Sequence, residues 1–333
     1  MPTTLEDIAR ALNVSKMTVS RAINNHPEIS RDTRERILRT ARKMNYRPNQ
    51  FARALTTNHS YLIGIVVPDL MHSYFAEICR GVESRARPVG YQNLICSTDE
   101  EAAKELSEVE ALLSRTDGLI VASAASTREL KAYRQLLKEG AKIVLIDRLL
   151  EGLRCPAVTT DDAKVGLLAT EHLIKLGHRQ VGFLRGADVS TSTKREEGYR
   201  QALTKHRLRI EGRLMRDCGF TESDGYNAMR VWLKEGGVPP AVFAANDPAA
   251  IGAMAAINEA GLTVPQDLAI VGVGNIHYGD MLQVPLTTVS WSKMLMGQAA
   301  AELLLKMIDG KSVKKSLVTV VEPELIVRRS CGG

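Results

Sequence analysis

The 333-residue sequence predicts an N-terminal all-α helix-turn-helix head and an α/β body of two doubly wound parallel-sheet subdomains. Three observations predict it. Residues Thr4–Asn24, TLEDIARALNVSKMTVSRAIN, hold two helix caps and a turn. From Tyr61 onward, short apolar runs alternate with amphipathic segments in two series of similar length, the pattern of parallel sheets covered on both faces. The charge is also segregated. Residues 1–60 carry eleven Lys/Arg and five Asp/Glu, whereas the rest carry 33 of each sign. The expectation is a nucleic-acid-binding head on a body that does not bind nucleic acid.

Thr4 and Asp7 form an N-cap box, and Leu5, Ile8, Ala9 and Leu12 recur at helical spacing, so a first short helix is expected. Asn13 ends it, because asparagine accepts the left-handed conformation a sharp turn requires. Ser15 then caps a second helix with Val19, Ala22 and Ile23 inward. A recognition helix reads base edges with its N-terminal residues. Lys16, Met17 and Ser20, with Arg21 beside them, occupy those positions. Ser30 caps a third helix, RDTRERILRTARKM, whose polar face carries Arg31, Arg34, Arg36, Arg39, Arg42 and Lys43 as candidate phosphate contacts. Pro48 stops that helix. The segment QFARALTT, opened by Asn49, has about eight residues, fewer than the roughly 12–15 an isolated helix needs in water.

The quoted opening residues resemble the LacI family of bacterial transcription regulators almost position by position, and the resemblance extends to the C-terminus; Asn13 departs from the family's more common glycine. The resemblance implies a head at 1–47 and a hinge at 48–59. It also implies a periplasmic-binding-protein-like body at 60–331, with subdomain 1 at about 60–160 plus 292–322 and subdomain 2 at about 161–289 plus 323–331. The implied DNA contacts are Thr4, Ser15, Lys16, Met17, Thr18, Ser20, Arg21, Asn24, Asn49 and Ala52, with Leu55 as a minor-groove wedge of the kind that bends a duplex.

In the body, the runs YLIGIVVP, YQNLICS, GLIVAS and KIVLID are separated by helices near 74–87, 101–115 and 127–139. A second series follows, QVGFLR, AVFAAN and LAIVGVG, with helices near 162–176, 194–206, 223–234 and 247–260. LTTVS, a helix from about Lys293 to Met307, VTVVEP and ELIVRR return to close both sheets. Open α/β sheets bind ligands at the carboxyl ends of their strands. That rule selects Asp69–Phe75, Ser123, Asp147, Asp161, Asn246-Asp247 and Asn275. The resemblance adds aromatic positions at Tyr74 and Phe75, ligand contacts at Asp147, Asp161, Phe220 and Asn246, and a ligand-holding fork of donors at Arg195. Two positions depart from the family pattern. Gly274-Asn275 replaces an acidic sugar acceptor, and Trp291 stands where another member has glutamine.

No apolar run precedes Thr4 and no stretch of about 18 apolar residues occurs, so neither a signal peptide, a membrane span nor a membrane partner is expected, and the location is cytoplasmic. Cys79, Cys96, Cys155, Cys218 and Cys331 lack metal-ligand spacing and read as reduced thiols. No nucleophile-base set appears, and the Gly-x-Gly at 272–274 lacks the rest of a dinucleotide fingerprint, so neither an enzyme nor a cofactor is expected. The chain stops without the heptad helix by which one family member forms tetramers, which implies a homodimer. The implied function is a repressor on a near-palindromic double-stranded operator, switched by a small metabolite, sugar or sugar-acid-like. A protein corepressor in place of the metabolite is the alternative, and a solute-binding protein a distant one.

Overall fold

The computed structural model describes residues 3–23, 26–46, 54, 57–126 and 128–333. It divides into two compact units, residues 1–60 and 61–333. In the first, α1 (Leu5–Leu12), α2 (Lys16–Ile23) and α3 (Arg31–Lys43) pack around Ile8, Ala9, Val19, Ala22, Ile37 and Ala41. So small a core depends on its helix ends. Thr4 and Asp7 satisfy each other's backbone N–H groups in a capping box, and Asn13 takes φ 52° to close α1. Ser30 accepts from Thr33 N to start α3.

The second unit holds two six-stranded sheets. The first runs β11-β5-β4-β3-β1-β2, all parallel, from β1 (Leu62–Val67), β2 (Gln92–Ser97), β3 (Gly118–Val121), β4 (Ile143–Ile146), β5 (Ala157–Thr160) and β11 (Val318–Val321). The second runs β12-β10-β9-β8-β6-β7, from β6 (Val181–Arg185), β7 (Met215–Asp217), β8 (Ala241–Ala244), β9 (Ala269–Val273), β10 (Thr287–Ser290) and β12 (Glu324–Ile326). Its β12 is antiparallel to β10. Helices α4 (Ser73–Ala86), α5 (Ala102–Leu113), α6 (Leu130–Lys138) and α11 (Lys293–Ile308) cover the first sheet; α7 (Asp162–Lys175), α8 (Ser190–Lys205), α9 (Glu222–Glu235) and α10 (Asp247–Glu259) cover the second. We call these the first and second lobes.

Two strands were not foreseen. β5 is a four-residue AVTT and β7 a three-residue Met-Arg-Asp at a sheet edge, too short and too polar to stand out as apolar runs. Helix α8 also starts at Ser190, four residues earlier than its apolar periodicity suggested, because its first turn, Ser-Thr-Ser-Thr, is polar.

Helices α7 and α8 touch backbone to backbone. A Cβ on Gly166 would meet the carbonyl oxygen of Arg195, and one on Gly198 that of Ala163. Gly81 and Gly297 make the same close approach between α4 and α11.

Candidate DNA-reading helix and ligand cavity

Ser15 accepts from Thr18 N–H at 3.0 Å and its hydroxyl lies 2.9 Å from that of Thr18, so α2 starts at Lys16. Lys16 and Met17 therefore lead the helix, and Met17 is 61% exposed. Ser20 is half-buried. The first turn of α2 carries no acid, so its partial positive charge is left for a phosphate. Arg21 pairs with Glu28 at 2.6 Å, but both are exposed, and such a pair is worth only about 0–1 kcal/mol against a competing anion. The basic face of α3 is divided. Arg34 turns to the carbonyls of His26 and Ile29, and Arg31 pairs with Glu35. Arg36, Arg39, Arg42 and Lys43 are exposed without an ion pair among the described residues. Asn24, Asn49, Ala52 and Leu55 lie outside the described residues, as does most of 48–59.

Between the lobes, at the carboxyl ends of both sheets, lies a cavity of about 210 Å³. Tyr74, Phe75, Asp147, Arg195, Phe220, Asn246 and Trp291 all line it. Asp147 has φ 64°, a left-handed turn that an aspartate tolerates, and this turns two consecutive side chains inward at the end of β4. Asp147 Oδ1 accepts from the Tyr74 hydroxyl at 2.5 Å. Burial and that carboxylate hold the Tyr74 hydroxyl well above the ordinary phenol range. The next residue, Arg148, donates from Nη1 and Nη2 to both oxygens of Glu100 and lies over the Phe220 ring, 4.9 Å from its centroid.

On the opposite wall, Arg195 is 5% exposed. Its Nε donates to Asp162 Oδ1 at 2.8 Å and its Nη1 to the Ala245 carbonyl at 2.7 Å. The guanidinium carbon lies 5.8 Å from the Trp291 ring centroid. Burial pushes the Asp162 carboxyl up to about 7 although Arg195 opposes the shift. His72 Nδ1 accepts from Tyr74 N–H and caps α4. Burial pushes its imidazole down to about 4, so at neutral pH it is uncharged, as a capping acceptor must be.

Of the residues selected, Leu70, Met71, Ser73, Ser123, Asp161, Asp247 and Asn275 are not in the cavity lining. Asp247 is buried and accepts from Ile276 N–H and the Thr288 hydroxyl. Ser123 is buried and donates to Glu105, a carboxylate from α5 that also accepts from Ala124 N–H and Tyr133. Asp161 is exposed and caps α7 through Lys164 N–H, whereas its neighbour Asp162 points inward to Arg195. Asn275 accepts from Arg328, and its carbonyl accepts from the buried Lys293. Gly274 lines the cavity in its place. Arg148, Glu100, Thr191, Thr221 and Asp224 line the cavity unforeseen. Arg148 alone had a sequence signal, its place beside Asp147 after an apolar run.

A helix-turn-helix with Lys16 and Met17 exposed at its tip, joined to a two-lobed body enclosing a small cavity, is the build of a DNA-binding regulator. Residues 4–49 match the model of bacterial regulatory proteins, lacI family, and residues 170–331 that of a periplasmic binding protein-like domain. The chain is 33% identical to the transcriptional repressor PurR of Pasteurella multocida (strain Pm70), covering 98% of each chain. It is 34% identical to the transcriptional regulator DegA of Bacillus subtilis (strain 168), covering 99% of this chain and 98% of that one. The structure of the lac repressor dimer bound to operator and the anti-inducer ONPF matches at a TM-score of 0.88 and 28% identity over 99% of both chains. The structure of a transcriptional regulator CelR–cellobiose complex matches at 0.75 and 28% over 98% and 99%. The chain belongs to the LacI family and is a DNA-binding transcriptional repressor, not an enzyme. Among the described residues no helix is long and apolar enough to cross a membrane.

Proposed function

We propose that this repressor binds a near-palindromic operator as a cytoplasmic homodimer and is switched by one small neutral, hydroxyl-bearing metabolite, a sugar, in the cavity between its lobes. The observation that carries the ligand class is the charge state of the lining. Its two arginines are already matched, Arg148 by Glu100 and Arg195 by Asp162, while Asp69, Asp147 and Asp224 add further negative charge. An added carboxylate would meet net repulsion there. Hydroxyl donors would find carboxylate acceptors, and the aromatic faces of Phe75, Phe220 and Trp291 suit the apolar face of a ring. At about 210 Å³ the cavity is smaller than the roughly 300–1,000 Å³ typical of ligand pockets, which favours a single ring.

Contacts that cross the cleft supply a route to the DNA. Arg148 of the first lobe lies over Phe220 of the second, and Leu149 N–H donates to Ser190 Oγ at 2.8 Å. A ligand that strengthens such closure biases the lobes toward one arrangement, and coupling of this kind is typically about 1–3 kcal/mol. A thermal-shift screen of neutral sugars beside the matching sugar acids tests the reading. A neutral sugar should raise the melting temperature and alter operator binding, and its acid should do neither. Stabilisation by acids alone overturns the ligand class, and no response to any small molecule favours control by a protein corepressor.

A further inference from the structure

The body is neutral in sum but strongly polarised. The connections entering the amino ends of the first sheet's strands, residues 87–91, 114–117, 139–142, 153–156 and 309–317, carry seven Lys/Arg and three Asp/Glu. Those leaving its carboxyl ends, residues 68–72, 98–101, 122–126, 147–152, 161 and 322, carry one Arg and eight Asp/Glu. At the amino end the acids are partly engaged, since Asp309 pairs with Lys311 and Asp117 accepts from Tyr61 N–H. Lys142, Arg154, Lys314 and Lys315 have no ion pair or hydrogen-bonded side-chain partner among the described residues. Lys142, Arg154, Lys311 and Lys315 rim a groove of about 320 Å³ floored by Leu137, Pro156, Met307 and Val313.

The sheet order makes this a stripe. Lys142 precedes β4, Arg154 lies just before β5 and Lys315 just before β11, and these are three adjacent strands. Tyr61 stands at the amino end of β1, two strands from β4, and is tied there to Asp117 at the start of β3. At about 4.8 Å per strand, the free cations extend roughly 10–20 Å along the sheet from the point where the chain arrives from the head. The chain enters the body at this end of the first sheet, so the head is covalently joined to the body here.

We propose that this amino-end face of the first lobe is a second DNA-contacting surface, which grips the phosphates of duplex flanking the operator. Phosphates demand unpaired cations in a row and no base-reading groups, and the stripe offers that chemistry, with Arg154 and Lys315 exposed and Lys142 half-buried. The proposal rests on operator binding by the head. It makes the body a source of sequence-independent affinity, contrary to what its neutral total charge suggests.

The test uses full-length protein and an operator it selects from random duplexes, prepared bare and with about 15 base pairs added at each end. With one flanking contact per protomer, two per dimer, the salt slope steepens by about 1.8. The flanked duplex should then lose about tenfold more affinity than the bare one between 50 and 200 mM salt. Combined Lys142→Ala, Arg154→Ala and Lys315→Ala should abolish that difference and leave the bare operator's affinity unchanged. Combined Lys142→Arg, Arg154→Lys and Lys315→Arg should keep it, because charge and not shape is used. Equal salt dependence of the two duplexes with the parent protein overturns the proposal, as does equal weakening of both by the alanine variant. Stabilisation by inorganic phosphate that the alanine variant loses, without any flank effect, makes the groove a small-anion site and likewise overturns it. If neither duplex is bound, the operator reading fails and takes this proposal with it.

Discussion

In the head, the side chains offered to DNA stand on helices whose ends are set by neighbours three residues away, as Thr4 caps at Asp7 and Ser15 at Thr18. In the cleft, several side chains offered to a ligand are buried and held by partners far along the chain, Asn246 by Phe220 at 26 residues and Tyr74 by Asp147 at 73. The difference concerns what each group must do when nothing is bound. Met17 and Lys16 wait in water and support nothing. Arg195 holds the Asp162 side chain and the Ala245 carbonyl, so it supports the fold with nothing bound. A head of this kind can change specificity freely, whereas a cleft of this kind changes specificity only with a cost in stability.

The largest effect that would break this comparison is expected at Arg195→Ala. Removing one partner of a buried ion pair typically costs about 3–5 kcal/mol. Urea unfolding of the body should show a loss of that order, together with loss of the ligand response. A loss under about 1 kcal/mol would make the cleft as replaceable as the head.

A smaller effect sharpens it. The His72 imidazole sits at about 4 in the folded protein and near 6.5 when unfolded, so between those values the unfolded chain binds the extra proton. His72 therefore costs nothing above about pH 6.5 and up to roughly 3 kcal/mol below pH 4, and stability falls as pH falls through that window. Asparagine can still cap α4, so His72→Asn should remove this contribution from unfolding curves at stepped pH, leaving the opposite one of Asp162, whose raised carboxyl favours the folded state as pH falls through the same range. An unchanged slope would place the titration elsewhere.

The smallest effect is expected in the head. Met17→Ala should shift stability by less than about 0.5 kcal/mol, as an exposed substitution does. Selection from random operators should nevertheless show a changed base preference, worth about 1–3 kcal/mol at the position Met17 reads. A stability loss above about 1 kcal/mol with unchanged preference would make Met17 part of the core, and the two regions would cease to differ.

The same contrast explains what could be read from the sequence. Caps, the left-handed Asn13 and the longer apolar strands are local, and each stands where periodicity and turn chemistry placed it. Aromatic and arginine positions came from the resemblance, and Tyr74, Phe75, Phe220, Trp291 and Arg195 do converge on one cavity. What was missed depends on partners far along the chain. Asp161 and Asp162 are indistinguishable at the start of a helix until Arg195 arrives from α8 to select the second. Ser123 ends an apolar run like the other candidates, but Glu105 from α5 takes its hydroxyl. Arg148 declares its role only when Glu100 and Phe220 close on it.

Gly166 contributes no side chain to the cavity lining, yet the hydrogen it carries in place of a methyl group leaves room for the Arg195 carbonyl. A single added carbon there must prise α8 away from α7 and carry Arg195 with it. The shape of the cavity can therefore be altered from behind its wall, at a residue that no survey of lining positions would include.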